Sequence, residues 1–172
     1  MDLTKEILQI KSKESVDDLA KHLTKDTGDF HQLMKIFLGS NTRITPRAAW
    51  IMSKCHDINP HLVKPFIPDM VKNLQNDVPD GVKRSTLRAL QNVKIPTNIQ
   101  GVLTSICFKF LNSPAEAVAI KVFSMTVLSN IAEKYPDLKT EIKLIIEDQM
   151  PYGSAGFKSR GRKILKKLGN IP

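Results

Sequence analysis

Apolar side chains recur along this chain at the spacing of one helix face. Between positions 63 and 74 they fall three or four residues apart or side by side, at Val63, Phe66, Ile67, Met70, Val71 and Leu74. The same spacing returns in segments 99–110 and 118–131. This periodicity is typical of amphipathic helices, whereas a half-buried strand would alternate at every second residue. Segment 118–131 is apolar on two sides, which predicts a helix packed between neighbours.

The pattern predicts about ten helices with short connections, so successive helices should be antiparallel neighbours. Pro65 and Pro68 lie inside the fifth helix. We expect that helix to bend, because Pro68 would remove an intrahelical hydrogen bond. The predicted helices are Leu3–Ile10, Val16–Thr24, Phe30–Leu38, Pro46–Cys55, Pro60–Leu74, Asp80–Val93, Thr97–Leu111, Pro114–Lys134, Asp137–Asp148 and Ala155–Leu168.

Prolines mark several of the predicted helix starts, where the missing N–H has no intrahelical partner to lose. A residue able to cap a helix precedes the proline in Thr45-Pro46, Asn59-Pro60 and Ser113-Pro114. Glu116 follows Ser113 at the spacing of a capping box. These dipeptides therefore predict helices that begin at Pro46, Pro60 and Pro114.

A basic residue recurs every 37 positions, at Arg47, Arg84, Lys121 and Lys158. Each lies near the start of a predicted helix, and another predicted helix precedes it. A period of this length, built from two helices without a strand, indicates an all-α solenoid of stacked helix pairs. Such an architecture says little about chemistry, because solenoids of this type serve many functions.

The repeat resembles the HEAT family. Residues 74–84, with the sequence LQNDVPDGVKR, are similar to the turn and second helix of a HEAT repeat, including the turn Asp and the Val-Lys-Arg run. Residues 111–119 repeat the layout without the turn Asp, and residues 150–158 are a more degenerate copy. The resemblance covers residues 29–168. It implies one domain over residues 1–172, with a right-handed stack of about four helix pairs after an N-terminal helical cap at residues 1–28.

The chain is also similar to small uncharacterised bacterial HEAT-like proteins, some of which carry the name adenylosuccinate lyase. That lyase superfamily has a flexible Ser-rich signature loop, which this sequence lacks. Its long helical bundle also needs far more than the 172 residues found here. The sequence therefore supports no lyase activity.

Composition is that of a globular protein, with 41% apolar and 25% charged residues. There is no apolar run of about 18 residues and no basic-then-apolar leader, so we expect a cytoplasmic protein that neither spans nor binds a membrane. Cys55 and Cys107 lie on apolar faces far from any second Cys or His at metal-ligand spacing, which predicts buried free thiols and no metal. Nothing in the sequence indicates a cofactor.

Charge gives the strongest functional indication, since the net charge of +9 is unevenly distributed. Residues 41–96 hold nine basic and four acidic side chains, and residues 154–172 hold six basic and none acidic. The resemblance places the second helix of each pair on the concave face, with Arg47, Lys83, Arg84, Arg88 and Lys121 on or near it. Together with the C-terminal helix, the predicted basic binding face comprises Arg47, Lys83, Arg84, Arg88, Lys121, Lys158, Arg160, Arg162 and Lys163.

Two interpretations of the 37-residue basic series stay open. In one, the side-chain ends are accessible and bind an anionic partner. In the other, each residue is structural and donates hydrogen bonds to a turn of the neighbouring repeat. Because Lys121 stands where Arg84 stands and cannot reproduce the planar fork of Arg, we expect accessible ends at both.

Candidate catalytic chemistry is weak. HEAT-like DNA-alkylation-repair glycosylases use aromatics and an Asp in their groove, and Trp50 is the only tryptophan here. Lys54 stands one helical turn on, where an acid would be needed, so we expect Trp50 to pack between adjacent repeats. The four histidines are scattered, and no Ser or Cys has a convincing His partner.

The sequence therefore predicts a non-enzymatic scaffold that binds a protein with an acidic surface. Nucleic-acid binding through the basic concave face is the alternative, including a DNA-alkylation-repair-like glycosylase role. A groove that pairs an acidic residue with an aromatic would favour the glycosylase. The oligomeric state is open.

Overall fold

The computed structural model describes residues 2–169, and every regular element in that range is helical. The prediction of an all-α fold of paired helices is confirmed. Two compact units are present, one ending at Ile95 and one beginning at Pro96. The prediction of a single repeat domain with a cap at residues 1–28 stays a prediction.

The first unit contains six α-helices and one 3₁₀ segment. Their bounds are α1 Leu3–Gln9, α2 Lys13–Leu23, α3 Thr27–Phe37, α4 Thr45–Ile58, the 3₁₀ segment Pro60–Phe66, α5 Ile67–Asn73 and α6 Asp80–Leu90. The second unit contains α7 Thr97–Asn112, α8 Val118–Ala132, α9 Leu138–Gln149, a 3₁₀ turn Met150–Tyr152 and α10 Ala155–Leu168.

In the first unit the second helices of successive pairs pack side by side, α2 against α4 and α4 against α6. Helix α4 is central to this row and contributes Ala48, Ile51, Met52 and Cys55 to the core, all of them fully or almost fully buried. Because α4 contacts helices on several sides, one narrow strip of its surface remains for solvent.

In the second unit α8 is the central helix and packs against α7, α9 and α10. It buries side chains around most of its circumference, as its two apolar edges predict. Helix α10 presents a narrower apolar face, formed by Phe157, Ile164 and Leu168. Gly161 lies on the same face, where a Cβ atom would stand 2.7 Å from Sδ of Met150. The missing side chain therefore allows α10 to approach this neighbour closely.

The prediction of one bent fifth helix is wrong. Residues 60–66 form a 3₁₀ segment and α5 begins only at Ile67. Pro68 lies in the first turn of α5, where an N–H has no intrahelical partner, so it removes no hydrogen bond there. Two prolines three residues apart are accommodated by ending one helix and starting another.

Two of the three helix starts predicted at prolines also differ from those in the structure. Helix α4 begins at Thr45, after Ile44 and without a side-chain cap, and the buried Thr45 hydroxyl has no hydrogen-bond partner. Helix α8 begins at Val118, because Ser113 instead accepts a hydrogen bond from the Ala115 N–H at 3.3 Å in a turn. Asn59 does cap its segment, accepting from the His61 N–H at 3.2 Å.

Both cysteines are buried free thiols, as predicted. Burial raises the pKa of Cys55 and of Cys107 to about 12 each, because the thiolate would lose its hydration. Both thiols are therefore unreactive at neutral pH. Among residues 2–169, no helix has the length and hydropathy needed to cross a bilayer.

Candidate binding surfaces

A cleft of about 220 Å³ lies between α4 and α6 in the first unit. Side chains three or four positions apart share a helix face, so α4 presents one such row to the cleft and α6 presents another. We call this the Trp50 cleft, and it is lined by Pro46, Trp50, Ser53, Lys54, Asp57, Gly81, Arg84, Ser85 and Arg88.

Trp50 is 42% exposed at this cleft. The rest of its surface is covered where the side chain lies between α4 and α6, so packing between adjacent repeats accounts for part of the indole. Ala49 and Ile51, its neighbours in the sequence, both point into the core, whereas Trp50 lies at the edge of α4 that borders the cleft. An exposed indole is costly to hydrate and is available to a partner.

The two arginines of the cleft differ, although they stand one turn apart on α6. Arg88 is held by Asp57, with Nη2 2.8 Å from Oδ1, and its Nη1 donates to the Ser53 carbonyl at 3.5 Å. Arg84 is exposed, and its side chain forms no hydrogen bond or ion pair with any described residue. Arg84 is thus the cleft cation that a ligand could engage without breaking an existing contact.

Two other basic residues of the first unit, Lys54 and Arg47, connect their helix pair to the preceding one. Lys54 pairs with Asp17, exactly one repeat earlier in position, at 3.4 Å. Arg47 is exposed, yet its Nη1 donates to the carbonyl of Leu8 at 3.3 Å. Lys83 is only 16% exposed at its side chain and lies 3.9 Å from Asp80. The structural interpretation therefore fits Arg47, and Lys83 is largely enclosed.

In the second unit Lys121 is half-buried and takes part in a short hydrogen-bond chain. Its Nζ donates to Oε1 of Gln149 at 2.8 Å, and Nε2 of Gln149 donates to the carbonyl of Leu111 at 2.8 Å. Lys121 also lines an opening of about 540 Å³ beside the start of α10. Its ammonium is therefore anchored, in contrast to the guanidinium of Arg84.

Helix α10 separates its cations into two groups. Arg160 donates to Oγ1 of Thr126 at 2.7 Å, and Lys167 pairs with Glu133 at 2.8 Å, so both connect α10 to α8. Arg162 and Lys163 are exposed and make no such contact within the described range. Lys158 is half-buried at the edge of the helix.

The predicted basic face is thus divided. Arg47, Lys83, Arg84 and Arg88 lie in the first unit, where Arg84 and Arg88 share a cleft. Lys121, Lys158, Arg160, Arg162 and Lys163 lie in the second. Of these nine residues, the ones that are exposed and whose side chains form no hydrogen bond or ion pair within residues 2–169 are Arg84, Arg162 and Lys163.

Sequence reasoning did not connect Asp57 with Trp50, although the two lie seven residues apart and therefore on the same face of α4. Beside it, His56 is buried and its Nδ1 has no hydrogen-bond partner. Desolvation lowers the pKa of His56 below its ordinary value, Arg88 lowers it further, and Asp57 opposes both. At neutral pH His56 is consequently uncharged inside the core.

A family model described as HEAT repeat domain matches residues 3–168. No curated protein and no solved structure matches the chain.

Proposed function

Because the chain belongs to the HEAT repeat family, we propose that it binds a protein partner that presents an acidic segment to the Trp50 cleft. HEAT repeats commonly mediate protein–protein interaction and are typically non-enzymatic scaffolds. Stacked helix pairs of this kind offer extended surfaces for such contacts.

One observation carries the proposal: the same cleft is lined by an exposed tryptophan and by an arginine whose side chain has no hydrogen bond or ion pair within residues 2–169. Tryptophan and arginine are the side chains most enriched among residues that dominate protein interfaces. Arg84 can take a carboxylate in a bidentate arrangement, while the indole of Trp50 packs on an apolar side chain. The charge of Arg88 is already neutralised by Asp57. Arg88 therefore positions the partner more than it attracts it through net charge.

The cleft contains its own reporter, because Trp50 is the only tryptophan in the chain. A peptide of about ten glutamates around one phenylalanine supplies both required chemistries. We expect Trp50 emission to change saturably as this peptide is added. Arg84→Glu should weaken binding at least about tenfold, since it places a carboxylate opposite the carboxylates of the ligand.

The matched control is Lys72→Glu, an exposed position on α5 outside the cleft that makes the same change in net charge. Arg84→Glu should not lower the melting temperature, because the side chain makes no recorded contact. If both variants weaken binding equally, net charge explains the binding and the Trp50 cleft is not the binding site.

A DNA-alkylation-repair-like glycosylase is a second candidate, because Asp57 and Trp50 line one cleft. Against it, Oδ1 of Asp57 is engaged by Arg88 at 2.8 Å, and Trp50 is the only aromatic side chain of the lining. Incubation with N-methylated DNA should release no methylated base. Release that disappears in Asp57→Asn would establish the enzyme instead.

A further inference from the structure

The outward face of α10 carries three exposed cations, Arg162, Lys163 and Lys166, which we call the α10 stripe. None of the three side chains has a hydrogen bond or ion pair to another residue of the described chain. The opposite face of α10 is fixed by Phe157, Ile164 and Leu168 in the core. The stripe therefore projects from a rigid, packed helix.

No ion pair compensates these charges within residues 2–169. Residues 154–172 contain no Asp or Glu. On the neighbouring helices, Glu133 pairs with Lys167 and Glu147 with Lys143, and Glu141 and Asp148 of α9 form no ion pair with the stripe in the described range. Arg162 and Lys166 stand four residues apart on one face, an arrangement in which like charges repel. An anionic partner would relieve this repulsion.

The side chains exposed on α10 indicate which class of anionic partner fits the stripe. From residue 159 onward, the exposed side chains of α10 are Ser159, Arg162, Lys163, Lys166 and Lys167, with no aromatic or aliphatic residue among them. Protein interfaces need an apolar core with anchoring side chains. Contacts to phosphates need only cations and hydrogen-bond donors.

We infer that the α10 stripe binds the phosphate backbone of a nucleic-acid duplex, without reading its sequence. Arg162 and Lys166 lie about 6 Å apart along the helix axis, because each residue rises about 1.5 Å. Phosphates of one strand follow at about 3.4 Å along the duplex axis. Two long side chains at this separation can reach phosphates one or two steps apart. The inference is independent of the Trp50 cleft.

The test measures anisotropy of a fluorescein-labelled DNA duplex of about 20 base pairs, from about 50 to about 200 mM NaCl. The variant Arg162→Gln/Lys163→Gln/Lys166→Gln should bind at least about tenfold more weakly at the lowest salt. The slope of log K against log salt should become shallower by about 2–3. Its melting temperature should be unchanged or higher, because the repulsion has been removed.

The control variant is Lys11→Gln/Lys25→Gln/Lys72→Gln, which removes three charges from exposed positions of the first unit. It should keep most of the affinity and the slope. Equal loss in the two triple variants, or failure of the unmodified protein to bind the duplex, would overturn the inference. So would a stripe variant that loses the glutamate peptide but keeps the duplex, since that result identifies an acidic protein as the ligand.

Discussion

The Trp50 cleft and the α10 stripe are both basic, but their cations are used differently. In the cleft, Arg88 and Lys54 have acidic partners on other helices, and Arg84 alone among the cleft cations lacks a recorded contact in residues 2–169. The cleft also has an indole. In the stripe no side chain has a hydrogen-bond or ion-pair partner among residues 2–169, and from residue 159 onward α10 exposes no apolar side chain. The comparison suggests two ligand classes: a protein segment for the cleft and a phosphate backbone for the stripe.

Position on the helix explains the difference. Arg88, Arg160 and Lys167 lie on the side of their helix that faces the preceding second helix, and each reaches back to it. Arg162 is two residues from Arg160 and therefore lies on the opposite side of α10. Arg84 shares its face of α6 with Arg88, one turn away, and the difference between them is the acidic partner Asp57 beside Arg88. A cation in this helix stack is therefore structural or available according to whether it finds an acceptor on a neighbouring helix.

The largest difference should appear when the aromatic residue of each region is truncated. Phe157 is 3% exposed, so Phe157→Ala should cost about 3–5 kcal/mol through lost burial and a cavity. Trp50→Ala should cost clearly less, because the indole is 42% exposed. Urea unfolding of both variants measures this. Comparable losses would mean that Trp50 is a core residue and not a binding side chain.

Mild acid should destabilise the protein through the first unit, because that unit contains all four histidines. Burial lowers the pKa of His56 in the folded protein below its ordinary 6.5. At a pH between the lowered pKa of the folded protein and the ordinary 6.5, the unfolded chain binds a proton at His56 that the folded protein excludes. The free energy of unfolding therefore falls as the pH drops below about 6.5.

Melting temperatures measured from about pH 8 to about pH 5 should therefore decline less in His56→Gln than in the unmodified protein. His61→Gln, at an exposed position, should keep the decline. An unchanged pH profile in His56→Gln would show that another group is responsible.

The smallest effect should separate paired from unpaired cations. A double-mutant cycle of Arg88→Met and Asp57→Asn should give a coupling of about 0.2–1 kcal/mol, since both side chains are more than a third exposed. Arg162→Gln should leave stability unchanged or slightly raise it. If Arg162→Gln destabilises the protein as much as Arg88→Met, the distinction between the two regions is wrong.

Much of the fold could be predicted from the sequence because helix periodicity and the 37-residue step are local or repetitive signals. Helix α10 has its predicted bounds, and Cys55 and Cys107 are buried as expected. The start of α4 lies one residue from the predicted Pro46, although Thr45 does not cap it. The start at Pro114 was mispredicted because a capping dipeptide also fits a turn, as at Ser113. The exposure of Trp50 and the Arg88–Asp57 pair depend on which side of α4 and α6 meets a neighbour, and periodicity alone does not specify that.

The most direct test of the account measures both ligands on both variants. Dissociation constants for the glutamate–phenylalanine peptide and for the DNA duplex are determined with Arg84→Glu and with the triple Gln variant of the α10 stripe. The account predicts a crossed result, in which Arg84→Glu loses chiefly the peptide and the stripe variant loses chiefly the duplex. If each variant weakens both ligands by the same factor, binding follows net charge alone and the division into two surfaces is contradicted.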